Sequence, residues 1–307
     1  MTKNTKIILW FLGICGVILI VFFGIGIFLL KNISSSDETY EVTIGKSSGD
    51  KLAVIELKET IVSSEEIVRQ FKKYGDDKSI KGIVFRVESP GGGVVASQEI
   101  YEAVRKVRDD GKPVVVSMGS IAASGGYYVS CGGSRIVANR GTLTGSIGVI
   151  MEFIHLNKLM DKIGIDATTV KTGKLKDAGS YMRSSTEEDK KYFKSITNDV
   201  YEQFIGVVIE ERGLPRDTVL ALADGRVFTG EQALRAGLID TLGTYEDAVS
   251  IAAGLARIKG EPQLVKERRR RSTIYESLFG SVKEELVDLK QQFLQQPILQ
   301  YRLAEPY

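Results

Sequence analysis

No charged residue occurs between Ile7 and Leu30, where Leu, Ile, Val, Phe and Gly dominate. That run is long enough for a transmembrane helix, which needs about 20 apolar residues. Lys3 and Lys6 precede it; Lys31 follows, with Asp37, Glu38 and Glu41 soon after. The positive-inside bias places the N-terminus in the cytoplasm and the remainder outside. A cleaved signal peptide would carry a shorter apolar region, about 7–15 residues, ending at a small-x-small site. No convincing site of that kind follows, so an uncleaved anchor over 7–30 is expected. Residues 31–50, rich in serine at Ser34–Ser36, Ser47 and Ser48, read as a polar linker.

From Leu52 the pattern changes to alternating strands and helices. Leu52–Leu57 is a short β-rich run. Ser63 with Glu66 reads as a capping box ahead of Ile67, Val68 and Phe71, which share one helical face. Ile80–Val87 is the next predicted strand. Val94–Arg108 is predicted helical, striped by Ile100, Val104 and Val107. Val114–Met118 is nearly continuously apolar, as expected of a strand covered on both faces. Further strands are predicted at Arg135–Ala138, Gly148–Ile154 and Ala167–Lys171. Ser185 with Glu188 is predicted to cap a long helix through Tyr192, Ile196, Val200, Phe204 and Val208, and Thr229 with Gln232 another that ends near Gly237. Alternating βα units argue for one α/β core, residues 51–258, rather than two domains.

After Gly260 the character shifts to a tail, 259–307. The basic run Lys266–Arg271 reads as a solvated linker. An amphipathic stretch follows, carrying Leu278, Val282, Leu286, Leu289 and Phe293, and such a stretch beside arginines also suits a membrane surface or a partner groove. Pro297–Tyr307 is apolar and aromatic enough to act as a docking peptide.

Composition narrows the chemistry. The 307 residues hold 41 Lys and Arg against 39 Asp and Glu, a net charge of +2. That near-balance leaves no electrostatic footprint for bulk nucleic-acid binding. Two cysteines make neither a disulfide framework nor a structural zinc site. With one histidine, any Ser-His or Cys-His enzyme must use His155, and a multi-histidine metal site within one chain is excluded.

Two glycine-rich loops are candidates for chemistry. Ser89-Pro90-Gly91-Gly92-Gly93 follows a predicted strand, where α/β sheets place ligands. It is no P-loop, because Gly-Lys-Ser/Thr is missing. Its consecutive glycines suit an oxyanion hole, or simply a tight turn. In Ala122-Ala123-Ser124-Gly125-Gly126-Tyr127-Tyr128, a serine among small residues at a strand-to-helix turn is a nucleophile candidate. Close packing of a helix on the sheet would select the same residues. His155, at the end of an apolar run, reads as structural rather than catalytic. A lysine base would need its pKa lowered by about 3 units. Lys171, Lys174 and Lys176 are all candidates, and composition does not choose among them.

Taken together, Ser89-Pro-Gly-Gly-Gly93, Met118-Gly-Ser-Ile-Ala-Ala-Ser-Gly-Gly-Tyr-Tyr128, Leu143-Thr-Gly-Ser-Ile-Gly-Val149 and Ala223-Asp-Gly-Arg-Val-Phe-Thr-Gly230 resemble the signal peptide peptidase A family in its short, single-repeat form. The resemblance covers about Leu52–Leu255. It implies an α/β Clp protease/crotonase-like fold of repeated ββα units, preceded by one transmembrane helix. It further implies Ser124 as nucleophile, Lys176 as general base and Ser146 as the hydroxyl that orients the lysine. Backbone N–H groups near Gly91, Gly92 and Gly125 would form the oxyanion hole. The family usually has proline after the serine at Ser180; here Tyr181 stands there. The implied activity is cleavage of residual signal peptides and other short or unfolded peptides at the extracytoplasmic membrane face. No metal or organic cofactor is implied. The expected partners are peptide substrates, the lipid bilayer and further copies of the chain in an octameric ring that shares active-site parts. Small or apolar side chains are expected at the cleavage site. An acyl-CoA enzyme of the crotonase type and a non-catalytic membrane scaffold are the alternatives.

Overall fold

The computed structural model describes residues 39–44, 49–269 and 300–302, together with Trp10, Gly16, Phe23 and Gly24 at helical positions. The expected anchor over 7–30 lies otherwise outside the described residues, as does the amphipathic stretch at 278–293. Among the described residues, no helix is long and apolar enough to cross a membrane. Two compact units are resolved. The described residues of one are few: 39–42 and 267–269, with the four isolated helical positions. The other, 43–266 with 290–307, holds the site.

The elements in chain order are β1 (Thr39–Ile44), β2 (Lys51–Lys58), α1 (Glu65–Asp76), β3 (Ile80–Ser89), β4 (Gly91–Gly93), α2 (Val94–Asp109) and β5 (Val114–Ala123). Next come α3 (Gly125–Cys131), β6 (Arg135–Ala138), β7 (Leu143–Gly145), α4 (Asn157–Ile163), α5 (Glu187–Arg212) and α6 (Arg216–Leu222). The last are β8 (Val227–Thr229), α7 (Gly230–Arg235), β9 (Thr241–Leu242), α8 (Tyr245–Leu255), β10 (Gln263–Arg269) and β11 (Gln300–Arg302).

The central ladder runs β10-β2-β3-β5-β6-β9, all parallel, with β1 next to β10 and the short β7–β8 pair attached to β5. Strand side chains alternate between faces, and the apolar residues divide accordingly. Ala53, Ile55, Leu57, Ile83, Phe85, Val114 and Val116 share one core with Ile67 and Phe71 of α1 and Ile100, Val104 and Val107 of α2. Phe71 meets Phe85 edge to face at 5.0 Å. The intervening Leu52, Val54, Val84, Val115 and Val137 face the other way, against Ala248, Val249 and Ala252 of α8. Helices therefore cover both faces, as the continuous apolar strands require.

Several expectations are corrected. The Ser63–Glu66 box does not form: Ser64 is the N-cap of α1 and makes no capping bond, because its hydroxyl donates to Glu99 on α2. The long helix starts one residue later than expected. Thr186 and Asp189 form its capping box, Asp189 N donating to Thr186 Oγ1 at 3.1 Å and Thr186 N to Asp189 Oδ2 at 2.8 Å. The Thr229–Gln232 box of α7 is present as expected, with Gly237 at φ 75° just beyond the helix. No strand forms over 148–154 or 167–171. Ile154 and Val170 are exposed there, and Ile150 alone makes a bridge, to Gln300. An apolar run becomes a strand only where a neighbour satisfies its backbone, and this segment has no ladder beside it. The basic run is not a linker where it is described: Lys266 lies within β10 and its ammonium pairs with Glu56 at 2.5 Å.

The capping correction is testable. Thr186→Ala is expected to lower stability by about 1 kcal/mol, and Ser185→Ala to stay within about 0.5 kcal/mol of wild type. Denaturant midpoints of the full chain would reverse this order if Ser185 were the cap.

Candidate active site

Beyond Ser117 the strand β5 leaves its neighbour β6 and pairs with β7 through Ile121–Ala123. At its end, Ser124 sits at φ 53° and ψ −113° as the N-cap of α3. A left-handed backbone at a non-glycine residue costs on the order of 1–3 kcal/mol and persists only where its surroundings hold it. Here they do. Ser124 N donates to Gly145 O at 2.7 Å, and Tyr128 N donates to Ser124 O at 2.8 Å. Every residue of α3 is buried. A Cβ at Gly125 would lie 2.6 Å from Ser97 Oγ, and one at Gly126 2.7 Å from Ser89 O. The close-packing reading of the small residues holds: α3 packs closely on its neighbours. Ser124 Oγ is buried and has no hydrogen-bond partner among the described residues. Cys131 ends the same helix, but burial pushes its thiol up to about 12, which leaves it unreactive at neutral pH.

Opposite Ser124 lies β4. Ile61 N donates to Gly91 O and Gly93 N to Ile61 O, each at 2.8 Å, while Gly91 N donates to Ser89 Oγ at 3.1 Å. Gly91 N–H is thereby committed. Its contribution is close approach: at φ 104°, a Cβ would lie 2.1 Å from Tyr301 O and 2.7 Å from Gly125 N.

Tyr301 belongs to β11, within the stretch read as a docking peptide. Gln300–Arg302 pairs antiparallel with Gly93–Gly91, placing Tyr301 opposite Gly92. On its other edge Gln300 exchanges both backbone bonds with Ile150, at 3.1 and 3.3 Å. Alternation along an antiparallel ladder then turns the Tyr301 amide and carbonyl toward β4. The ring is fully buried, stacked on Tyr128 at 5.1 Å and against Phe204 at 4.8 Å, and its hydroxyl donates to Val200 O at 3.1 Å. Burial, and next the neighbouring Tyr128, pushes the Tyr301 phenol well up.

Ser146 is the second non-glycine residue in this region with positive φ, at 51°. It is buried, and its N–H donates to Arg226 O at 2.9 Å. Since Ala123 pairs with Gly145, Ser124 and Ser146 emerge from adjacent strand ends. Thr144 Oγ1 donates to Ala122 O at 2.7 Å and fastens the two strands. Arg226 belongs to a turn in which its guanidinium and N–H both bond Asp224, so the Ala223–Gly230 motif supports Ser146 through the backbone.

The lysines separate clearly. Lys171 is paired with Asp177 at 2.5 Å, and Lys174 with Glu188. Lys176 is exposed and has neither ion pair nor side-chain hydrogen bond among the described residues. No hydrogen bond joins it to Ser124 within one chain. His155 is exposed too, with Nε2 3.2 Å from Ser185 Oγ, and does not meet Ser124 either.

Two family descriptions match this chain. Peptidase family S49 matches residues 106–259, and Clp protease matches 51–152. The chain belongs to peptidase family S49. A putative protease of Synechocystis is 42% identical over 68% of this chain and 76% of its own length. A putative signal peptide peptidase of Enterococcus faecium is 38% identical over 60% of this chain and 54% of its own. Protease 4 of Haemophilus influenzae is 35% identical over 67% of this chain and 35% of its own. The chain thus spans three quarters of one relative and about half or less of the other two. Membership of family S49, with a parallel sheet of the Clp protease kind, makes it a serine protease, and Ser124 stands where a parallel α/β sheet presents its reactive groups.

The segment carrying Lys176 is tied down by charge. Arg183 donates to Asp189 at 2.5 and 3.1 Å and to Asp177 at 2.9 Å. These hydrogen bonds from Arg183, with Lys171 adding to them at Asp177, hold both carboxyls well below the usual carboxylate range. A carboxyl depressed in the folded chain contributes stability that is complete above its unfolded pKa, about 3.9, and is lost as pH falls through the lower folded value. Arg183→Gln is therefore expected to be less stable than wild type by a constant margin from pH 7 to about 4, and by a shrinking one below. Urea midpoints along a pH series would show this, and a margin that widens in acid would contradict it.

Proposed function

We propose that this chain is a membrane-anchored endopeptidase using a Ser124–Lys176 dyad, with its protease domain on the extracytoplasmic face. The apolar run 7–30 supports the anchor, and its flanking charges support the orientation. The carrying observation is the seat of Tyr301. A peptide backbone runs as an added strand between β4 and Ile150, with one carbonyl turned to the glycine loop beside an unpartnered buried serine hydroxyl. Added-strand recognition draws affinity from the main chain and selectivity from side-chain pockets. The substrates are accordingly extended peptides, such as signal peptides left after secretory cleavage and other unfolded segments.

Ser124 Oγ attacks the carbonyl carbon while the neutral Lys176 amine takes the hydroxyl proton. The oxyanion is held by the Gly92 and Gly125 amides, since Gly91 N–H is engaged elsewhere. Collapse breaks the C–N bond, and the leaving amine takes the proton from Lys176. Water, deprotonated by the same amine, then hydrolyses the ester and returns Ser124. Ser146 orients the amine without adding charge.

Lys176 is supplied by a neighbouring copy in this reading. Two features support that: Lys176 is exposed and unpaired among the described residues, and its segment carries exposed Ile154, Leu159, Ile163, Ile165 and Val170 while α4 buries nothing. A closed ring, octameric in the related short form, satisfies every such surface at once. The pocket filled by Tyr301 favours an aromatic or large apolar side chain before the cleaved bond, wider than the small residues first expected. Gln300–Arg302 makes the tail a self-inhibitor that substrate must displace.

With a fluorogenic peptide carrying tyrosine before the cleaved bond, Ser124→Ala and Lys176→Ala should each lose at least about 10³-fold in rate, and His155→Ala should keep wild-type activity. Mixing the two inactive variants before assembly should restore part of it, because some sites then combine an intact serine with an intact lysine. Removing 297–307 should raise the initial rate. Full activity in Lys176→Ala would remove the dyad; inactive mixtures would return the lysine to the same chain.

A further inference from the structure

The geometry points to Glu88 as a positioning residue that sets Ser124 and the oxyanion loop in register, by filling a bulge in β5 with its carboxylate. The inference rests on Ser124 being the nucleophile. Val87 pairs with Met118, but Ser89 pairs with Ala122, so β5 spends two extra residues where β3 advances by two. Across this bulge β5 also changes partner, from β6 to β7. It is the corner that directs Ser124 toward β4.

A bulge leaves backbone groups without ladder partners, and here side chains take over. The Glu88 carboxylate accepts from Ser120 N at 2.9 and 3.0 Å and from Ile121 N at 3.3 Å. Arg86 Nη1 donates to Met118 O at 3.1 Å and to Ser117 Oγ at 2.9 Å, and its other nitrogen lies 3.9 Å from Glu88. Thr142 Oγ1 donates to Gly119 O at 2.7 Å. With the carboxylate in this place a Cβ at Gly119 would lie 1.6 Å from Glu88 Oε2, so any side chain there would displace it.

Glu88 stands immediately before Ser89-Pro90-Gly91, and the amides it holds stand three and four residues before Ser124. One side chain therefore couples the loop that approaches the carbonyl to the corner that carries the nucleophile. Glu88 touches neither substrate nor Ser124. Its loss shifts the distance between them and acts on the chemical step rather than on strand-addition binding, which β4 and Ile150 provide.

The test compares full-length Glu88→Ala, Glu88→Asp and Glu88→Gln with wild type, by steady-state peptide cleavage, the rate of covalent labelling of Ser124 by a fluorophosphonate, and melting temperature. Glu88→Ala is expected to lower kcat by about 10²-fold, the scale of one lost oxyanion donor, with KM within about 3-fold and labelling slowed in parallel. Glutamine reaches the bulge and keeps one accepting oxygen, whereas aspartate keeps the charge but falls one methylene short. Glutamine should therefore recover most of kcat and labelling, and aspartate little. Wild-type kcat in a folded Glu88→Ala, or aspartate rescuing as well as glutamine, overturns the inference; if the alanine variant does not fold, the aspartate and glutamine pair decides. Ser124→Ala, run alongside, separates the two levels. Cleavage retained there sinks the nucleophile and this inference together, and an inactive Ser124→Ala beside a flat Glu88 series sinks this inference alone.

Discussion

The left-handed turn at Ser124 is the constraint on which the site depends. A serine at φ 53° stays there only if both flanks are immobile, and each flank is fixed by a different device. On one side β5 is anchored to β7 by paired backbone and by Thr144. On the other, α3 is wedged so closely against β3 and α2 that Gly125 and Gly126 accept no side chain. The hydroxyl is left in a buried place with no hydrogen-bond partner among the described residues. An unpaired buried hydroxyl is unfavourable for stability, and in the proposed reading it is what a nucleophile awaiting a carbonyl and a base requires.

Ser146 repeats the device one strand away. It too has a positive φ, held by a carbonyl from the Asp224–Arg226 turn. Glycine would relieve the strain at either position. A side chain kept in strained geometry at two adjacent strand ends argues that the hydroxyls, and not the turns, are the point of the arrangement. The glycines follow the opposite logic, since at Gly91 it is the absence of a side chain that lets another backbone approach.

The sheet was legible in the sequence because strands covered on both faces show as continuous apolar runs, and Val114–Val116 with Ile83–Phe85 could hardly be anything else. The loops at their carboxyl ends were legible as candidates for the same reason. The segment 148–182 was not. Its apolar residues look like strand residues, yet Ile154 and Val170 are exposed. Periodicity reports that a surface is to be covered, not whether this chain or another molecule covers it. Composition and spacing alone did not choose among three lysines, for a related reason. Charge pairing depends on where Asp177 and Glu188 arrive in space, and residue spacing does not carry that. Glu88 was missed because a lone glutamate at a strand end has no spacing signature until the bulge beside it is seen.

The separation of Ser124 from Lys176 and the seat of Tyr301 then answer one physical problem. A protease that carries its own extended tail presents itself with a peptide to bind and cleave. In the proposed reading, the nucleophile is buried without a base, and the base is solvated without a nucleophile. A charged ammonium in water is a poor proton acceptor, and it becomes an effective one only when burial favours its neutral form. Docking the exposed segment against another copy would, in the same reading, supply that burial and deliver the amine in one event. The tail meanwhile pairs with the glycine loop and buries Tyr301, so the proposed activity would call for both assembly and displacement. In that reading neither half of the dyad acts alone, because burial of the amine and its encounter with Ser124 are one contact.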